Sequence, residues 1–198
     1  MQHQFHQKIK AVSGGTTRSL GREGIAHHKI NLPGFENMPA LDDPAKRLVF
    51  LGILKEDIAG KTVLDLGCNI GGFCFEALQL GAKSVHGIDI MKERIEVAQE
   101  IAKSAKIHRA ATFETMDIVQ IPDNIFYDVV LCLQTFDYVE PRNVLAEKLC
   151  KITKKALYLE MNSPLSSSTM AIFTKGFKTV ENLHSDKRGW MNVFKMKR

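Results

Sequence analysis

The sequence predicts an α/β fold, a three-layer sandwich in which a seven-stranded, mostly parallel sheet carries helices on both faces and its last strand runs antiparallel. Three observations predict it. From residue 62 to residue 160, short runs of branched apolar residues alternate with stretches of helical periodicity, the pattern of a parallel sheet covered on both sides. A glycine-rich turn, Gly67 to Gly71, follows the first of these strands. The C-terminal stretch offers two strands close enough to form a hairpin, and a tight connection makes neighbouring strands antiparallel. At 198 residues, 44% of them hydrophobic, the chain can bury one sizeable core.

Residues 1 to 42 show little periodicity and much turn chemistry, with Gly14-Gly15, Gly21, Gly24, Pro33-Gly34 and Pro39. They are expected to form an irregular N-terminal arm and a candidate lid, leaving residues 43 to 198 as the main domain. Asp42-Asp43-Pro44 opens a helix through Leu48, Leu51 and Leu54, with acid at the cap and proline in the first turn. Gly60 closes it. The spacing then predicts strands over 62–66, 84–89, 111–115, 127–133 and 156–160, with helices over about 71–80, 91–105 and 141–153. A short helix from about Ser168 precedes KTVENLH and GWMNVFKMK, two strands joined across Ser185 to Gly189.

The first ten residues, MQHQFHQKIK, contain no apolar leader core, and no apolar run approaches membrane length. A cytoplasmic protein with no membrane partner is expected. Cys68, Cys74, Cys132 and Cys150 form no C-x-x-C pair and read as small buried thiols, and no metal site is expected. The formal charge is +5 and uneven: from Lys151 to Arg198, ten Lys and Arg stand against three acids. Such a tail could meet the phosphates of tRNA or another RNA, although solvated strand edges and helix ends collect lysine too.

The chemistry concentrates at the carboxyl ends of the strands, where open parallel sheets place their ligands. In VLDLGCNIGGF, Asp65 sits inside an apolar strand, where a carboxylate is costly unless a partner such as a cationic ligand group meets it. Gly67 and Gly71 let the backbone turn sharply and approach a ligand closely. Asn69 stands where a dinucleotide fold wants glycine for pyrophosphate, which disfavours NAD or FAD. The second strand ends at Asp89, 22 residues after Gly67 and suited to ribose hydroxyls. Asp117 and Ile118 follow the third strand with a carboxylate for an amino group and an apolar face for a ring. The ligand pattern is that of a nucleoside without phosphates.

VLDLGCNIGG, GIDI, MDI and YDVVLCLQ resemble, in order and spacing, motifs one to four of class I (Rossmann-like) S-adenosylmethionine-dependent methyltransferases, over about Lys61 to Glu160. The resemblance implies that residues 43 to 198 are a methyltransferase domain with S-adenosyl-L-methionine as cofactor. It also implies that Gly67, Asn69 and Gly71 cradle the methionine part, with Asp65 beside its ammonium group and Asp89 on the ribose. Asp117 and Ile118 would flank adenine, and Cys68, Ile90 and Leu133 complete the expected cofactor contacts. The segment KTVLDLGCNIGGFCFEALQLGAKSVHGIDI is also similar, more loosely, to the methyltransferase-like domain of tRNA wobble-uridine carboxymethyl- and methoxyuridine-forming enzymes.

For the transfer itself, QTFDYVEP brings Asp137 and Tyr138 as candidates to orient or deprotonate an acceptor, against an ordinary reading of turn residue and packing ring. His27 and His28 in the arm could close over the site as lid and base, or be solvated loop residues. No N-P-P-Y or D-P-P-Y clamp follows the fourth strand, and Cys132 lies within that strand, as a core thiol does. Three readings remain open: methyl transfer to the O or N nucleophile of a small molecule, tRNA or RNA methylation, and S-adenosylmethionine binding without transfer.

Overall fold

Residues 7–9, 11–12, 26–35, 40–185 and 191–198 are described by the computed structural model. Their order begins with two short strands, β1 (Ala26–His28) and β2 (Ala40–Asp42), which pair in parallel. Helix α1 (Pro44–Phe50) follows, capped by Asp43, whose carboxylate accepts from the Ala45 amide at 3.1 Å. The predicted helix through Leu54 ends early, because Gly52 takes a left-handed φ of +66° and the chain restarts as α2 (Lys55–Ile58).

The main sheet then builds in sequence: β3 (Thr62–Leu66), α3 (Gly72–Gln79), β4 (Ser84–Asp89), α4 (Lys92–Ser104), β5 (Ala111–Thr115), β6 (Tyr127–Leu133), α5 (Arg142–Ile152) and β7 (Thr153–Met161). It ends with α6 (Ser167–Gly176), β8 (Thr179–Ser185) and β9 (Asn192–Lys197). The order across the sheet is β5-β4-β3-β6-β7-β9-β8. β9 is antiparallel to both β7 and β8, and is the one reversed strand. The seven-stranded sandwich with an antiparallel last strand is therefore present, and the hairpin turn itself lies outside the described residues.

Alternation within β3 sorts its side chains to two cores. Val63 joins a cluster with Phe73 and Phe75 of α3 and Ile95, Val97 and Ile101 of α4, whereas Leu64 and Leu66 join Leu145 and Leu149 of α5 and Phe173 of α6. Each such fully buried aliphatic side chain contributes about 1.5–3 kcal/mol. The expectation of an irregular arm is corrected in its described parts: residues 7–9 and 11–12 are helical, β1 and β2 are paired, and Ile9, Ala26, Ile30 and Phe35 are buried in the first core. Those apolar side chains seat the arm on the domain and carry β1 and β2 to the C-terminal edge of the sheet.

Candidate functional site

The parallel strands end on a cleft of about 600 Å³, within the range of small-ligand sites. Its shape starts at the turn after β3. Gly67 has φ +73°, and a Cβ there would fall 2.3 Å from Thr135 Oγ1. Thr135 Oγ1 donates to the Leu66 carbonyl at 2.9 Å, so the ends of β3 and β6 are latched together across a backbone that only glycine can supply. Asn69, at φ +53°, accepts the left-handed conformation expected of it.

Asp89 organises the same turn. Its Oδ2 accepts from the Asn69 amide and its Oδ1 from the Met91 amide, both at 2.9 Å, and Arg94 Nη1 lies 3.7 Å from Oδ2. The carboxylate is buried and faces the cleft from the end of β4. Asp65 is 2% exposed, and its hydrogen bond comes from a weak donor, the Cys74 thiol at 3.6 Å. Burial, with the Asp89 charge adding to it, pushes its carboxyl up to about 7. Asn69 Oδ1 is buried without a hydrogen-bond partner among the described residues.

Asp117 caps the turn Ile118–Gln120 by accepting from the Val119 amide at 3.1 Å, and lines the cleft with Ile118. Leu133 and Ile90 line it too, Ile90 being 70% exposed at the rim. The structure thus brings Asp65, Gly67, Asn69, Asp89, Ile90, Asp117, Ile118 and Leu133 to one cavity. Cys68 and Gly71 are not in that lining. Cys68 is fully buried, and its amide goes to the Ile88 carbonyl at 3.0 Å. Gly71, at φ +86°, begins α3, and a Cβ on it would lie 2.8 Å from the Phe113 ring. Both shape the turn from behind and neither lines the cleft.

The other half of the cleft lies over β6 and β7 under the N-terminal segment. Tyr138 is at its rim, 81% exposed. Asp137 is not in the lining. Its carboxylate accepts from the Asn162 amide at 2.6 Å and from Ser163 Oγ, pinning the turn after β6 to the end of β7. His28 does reach the cleft from β1, buried and edge-on to Phe73 at 4.9 Å. Burial, aided by His27 and the Arg47 and Arg94 charges, lowers its imidazole to about 3. It is therefore neutral at physiological pH and a weak base. Its Nδ1 is buried with no hydrogen-bond partner among the described residues. His27 beside it is lowered as well, chiefly by burial.

Residues the sequence reasoning missed complete this half. Glu160, 1% exposed at the end of β7, receives Arg47 of α1 in an ion pair and Gln134 Nε2 at 3.1 Å. Burial raises its carboxyl, Arg47 opposing the shift. Gln134 holds a left-handed φ of +54°, the kind of local strain that collects at functional sites. Asp42, at the end of β2, also lines the cleft. Glu160 carried a readable signal, since an acid inside ALYLEM is the same anomaly as Asp65 inside TVLDL.

Four of the tail's basic residues are engaged within the fold. Lys151 pairs with Asp123, Lys155 with Asp128 and Lys195 with Asp57, each at 3.0 Å, and Arg198 donates to the Thr153 carbonyl. That arrangement gives no support to an RNA-facing stripe. Among the described residues no helix is long and apolar enough to cross a membrane, and no cluster of His, Cys, Asp or Glu could hold a metal ion.

The sequence profile of a methyltransferase domain family matches residues 57–198. The chain belongs to that family. Among curated relatives, this methyltransferase domain is 26% identical over 140 residues to norajmaline N-methyltransferase of Rauvolfia serpentina, covering 70% of the chain and 44% of the relative. It is 32% identical over 127 residues to ubiquinone biosynthesis O-methyltransferase of Vibrio atlanticus, covering 59% and 50%. The chain thus spans half or less of the length of these relatives. In fold, the methyltransferase domain is similar to magnesium protoporphyrin IX methyltransferase of Synechocystis solved with bound SAM. The TM-score is 0.61 at 20% identity, with 78% of this chain and 77% of that one covered.

Proposed function

We propose that this methyltransferase domain binds S-adenosyl-L-methionine and transfers its methyl group to an oxygen or nitrogen nucleophile of a small molecule. The observation that carries the reading is the row of carboxylates Asp65, Asp89 and Asp117 at the ends of three adjacent strands, around a turn that closes only with Gly67. The fit is chemical. A buried acid with a thiol for a donor and an orphaned Asn69 Oδ1 call for a ligand that brings cationic or hydrogen-bond-donating groups. Phosphate would meet charge repulsion from the same groups, which is why a dinucleotide is a poor candidate.

In this reading Asp65 holds the ammonium of the methionine part, Asp89 accepts from the ribose hydroxyls, and Ile118 and Leu133 flank the adenine. Bound there, the cofactor supplies a methyl carbon already activated by a sulfonium. What remains for the protein is alignment and exclusion of water. His28 and Phe73 wall the cleft, the Arg47–Glu160–Gln134 network fixes the floor opposite the cofactor half, and Tyr138 stands at the entrance. The N-terminal segment acts as a lid over the acceptor half, as its buried Ile30 and Phe35 favour. The cysteines are free thiols, which suits a reducing, cytoplasmic setting.

Calorimetric titration with S-adenosylmethionine, S-adenosylhomocysteine and NAD tests the reading. Micromolar binding of the first two and none of NAD is expected; NAD binding, or no binding of either sulfur nucleoside, would overturn it.

A further inference from the structure

The acceptor half of the cleft holds two features that the cofactor assignment leaves unused. The first is a carboxylate out of charge balance. Lys29 gives its ammonium to Asp43 at 3.7 Å and Arg47 gives its guanidinium to Glu160, which leaves Asp42 with no ion pair among the described residues. Asp42 Oδ1 accepts from the Asp43 amide at 3.0 Å, so the side chain is fixed in place at the end of β2. It lines the same cleft as Glu160, and its charge is felt by its neighbours: it adds to the rise of the Glu160 carboxyl and opposes the burial-driven lowering of His27. The second feature is the buried Nδ1 of His28, without a hydrogen-bond partner among the described residues, on the adjacent paired strand β1, where His28 registers against Asp42 itself.

We infer that the acceptor is a small amine, with Asp42 facing the positive charge that develops on its nitrogen and His28 Nδ1 receiving an N–H hydrogen bond. This inference rests on the methyl-transfer reading above and narrows it. In transfer to an amine, the nitrogen lone pair forms the N–C bond while the C–S bond breaks and its electron pair passes to sulfur. The positive charge leaves sulfur and appears on nitrogen, and the extra proton on that nitrogen passes to water after release. A carboxylate placed at the acceptor stabilises this product charge, as preorganised charges do. The same carboxylate would repel an alkoxide, a phenolate or a carboxylate acceptor.

The neutral state of the histidine fits an amine and works against a hydroxyl. An imidazole held near 3 adds no cation to repel the substrate. It is also too weak a base to take the proton of an alcohol or phenol. Asp137, the other candidate base, is turned to Asn162 and Ser163. An amine that leaves its ammonium proton in water and binds as the free base needs neither.

The test begins with calorimetry of S-adenosylmethionine, because failure there sinks the methyl-transfer reading and says nothing specific about amines. Given binding, release of S-adenosylhomocysteine is measured over a panel of amines, alcohols, phenols and carboxylates built on shared aliphatic and aryl skeletons. Binding of the same panel to the S-adenosylhomocysteine-loaded protein is measured in parallel. Amines should be preferred at least 10-fold in kcat/KM over their oxygen counterparts. Asp42→Asn, which keeps the acceptor for the Asp43 amide, should lower amine kcat/KM at least 10-fold and change cofactor affinity less than 2-fold. Glu160→Gln serves as a second variant with the same sign. The inference is overturned if oxygen acceptors are methylated as well as amines, or if Asp42→Asn keeps the amine preference. It is equally overturned if no amine is bound or methylated by protein that binds the cofactor.

Discussion

The two halves of the cleft are built on opposite plans. Over β3, β4 and β5, each functional side chain comes from the end of a strand or the first residues after it, and the groups are fixed by backbone: Asp89 by the Asn69 and Met91 amides, Asp117 by the Val119 amide. Over β6 and β7, the groups come from places far apart in sequence. His28 and Asp42 arrive on a two-stranded ladder, Arg47 on α1 and Glu160 on β7, and the centre of this half is held by side chains, Glu160 receiving both Arg47 and Gln134. A half held by local backbone can keep a constant ligand, while a half held by side-chain contacts can be rebuilt without touching the first. On the assignment proposed above, cofactor and acceptor recognition would be separable in this chain, and each prediction below tests that division.

The largest effect is expected at the seam. Gly67→Ala puts a methyl group 2.3 Å from Thr135 Oγ1 on a backbone of φ +73°, so both halves should suffer. A loss of about 2–4 kcal/mol in urea unfolding, with cofactor binding abolished in the surviving fold, is expected. A melting curve matching wild type would mean the latch between β3 and β6 is dispensable.

Next comes Asp89→Ala, which removes the carboxylate proposed for the ribose and also strands two backbone amides. Cofactor affinity should fall by about 2–3 kcal/mol, roughly 30- to 150-fold, with Asp89→Asn recovering part of it. Titration of all three proteins decides this, and near-equal affinities would dissolve the cofactor half as drawn.

The third prediction is a pH effect confined to the cofactor half. Asp65 is pushed up to about 7 from an ordinary 3.8, so between those values the folded chain keeps a proton that the unfolded chain has lost. The ligand-free protein should therefore lose stability as pH rises from about 4 to 7, and Asp65→Asn should flatten that slope. A cationic ligand favours the ionised acid, so affinity for S-adenosylmethionine should rise with pH over about 5.5 to 7 with release of a proton. Calorimetry in buffers of different ionisation enthalpy reads that proton, and zero uptake or release would remove Asp65 from the ammonium site.

The smallest effects separate pinning from contact. Asp137→Ala breaks the bonds to the Asn162 amide and Ser163 Oγ, and should cost about 1–2 kcal/mol of stability while leaving cofactor affinity within 2-fold. Tyr138→Phe, at the exposed rim, should change kcat less than about 3-fold. A kcat collapse in Tyr138→Phe, with binding intact, would restore the hydroxyl as a proton-transfer group.

These two plans also explain what could be read in the sequence. The strand and helix pattern and the row Asp65, Asp89 and Asp117 were legible because each lies at a fixed offset from its own strand end. The ladder of β1 and β2 was not, since three-residue strands are too short to show a period and their partner lies across a stretch of turn residues. The placement of Asp137 was not legible, because a turn acid after a strand looks the same whether it faces the cleft or the neighbouring loop. The placement of Cys68 and Gly71 was hidden for another reason: a motif names residues in order, while the turn they share has a front and a back.

The position of β9 between β7 and β8 reaches beyond the cleft, to the order in which the chain can assemble on a ribosome. β8 is made before β9 yet pairs with nothing else in the main sheet, and β7 has an open edge until β9 covers it from Ala156 to Met161. Until residues 192–197 emerge, two strands wait with exposed edges, one of them the strand that holds Glu160. The acceptor half therefore matures last, after the cofactor half already has its complete set of strands, and a nascent chain stalled before residue 192 would lack two strands of the sheet and not one.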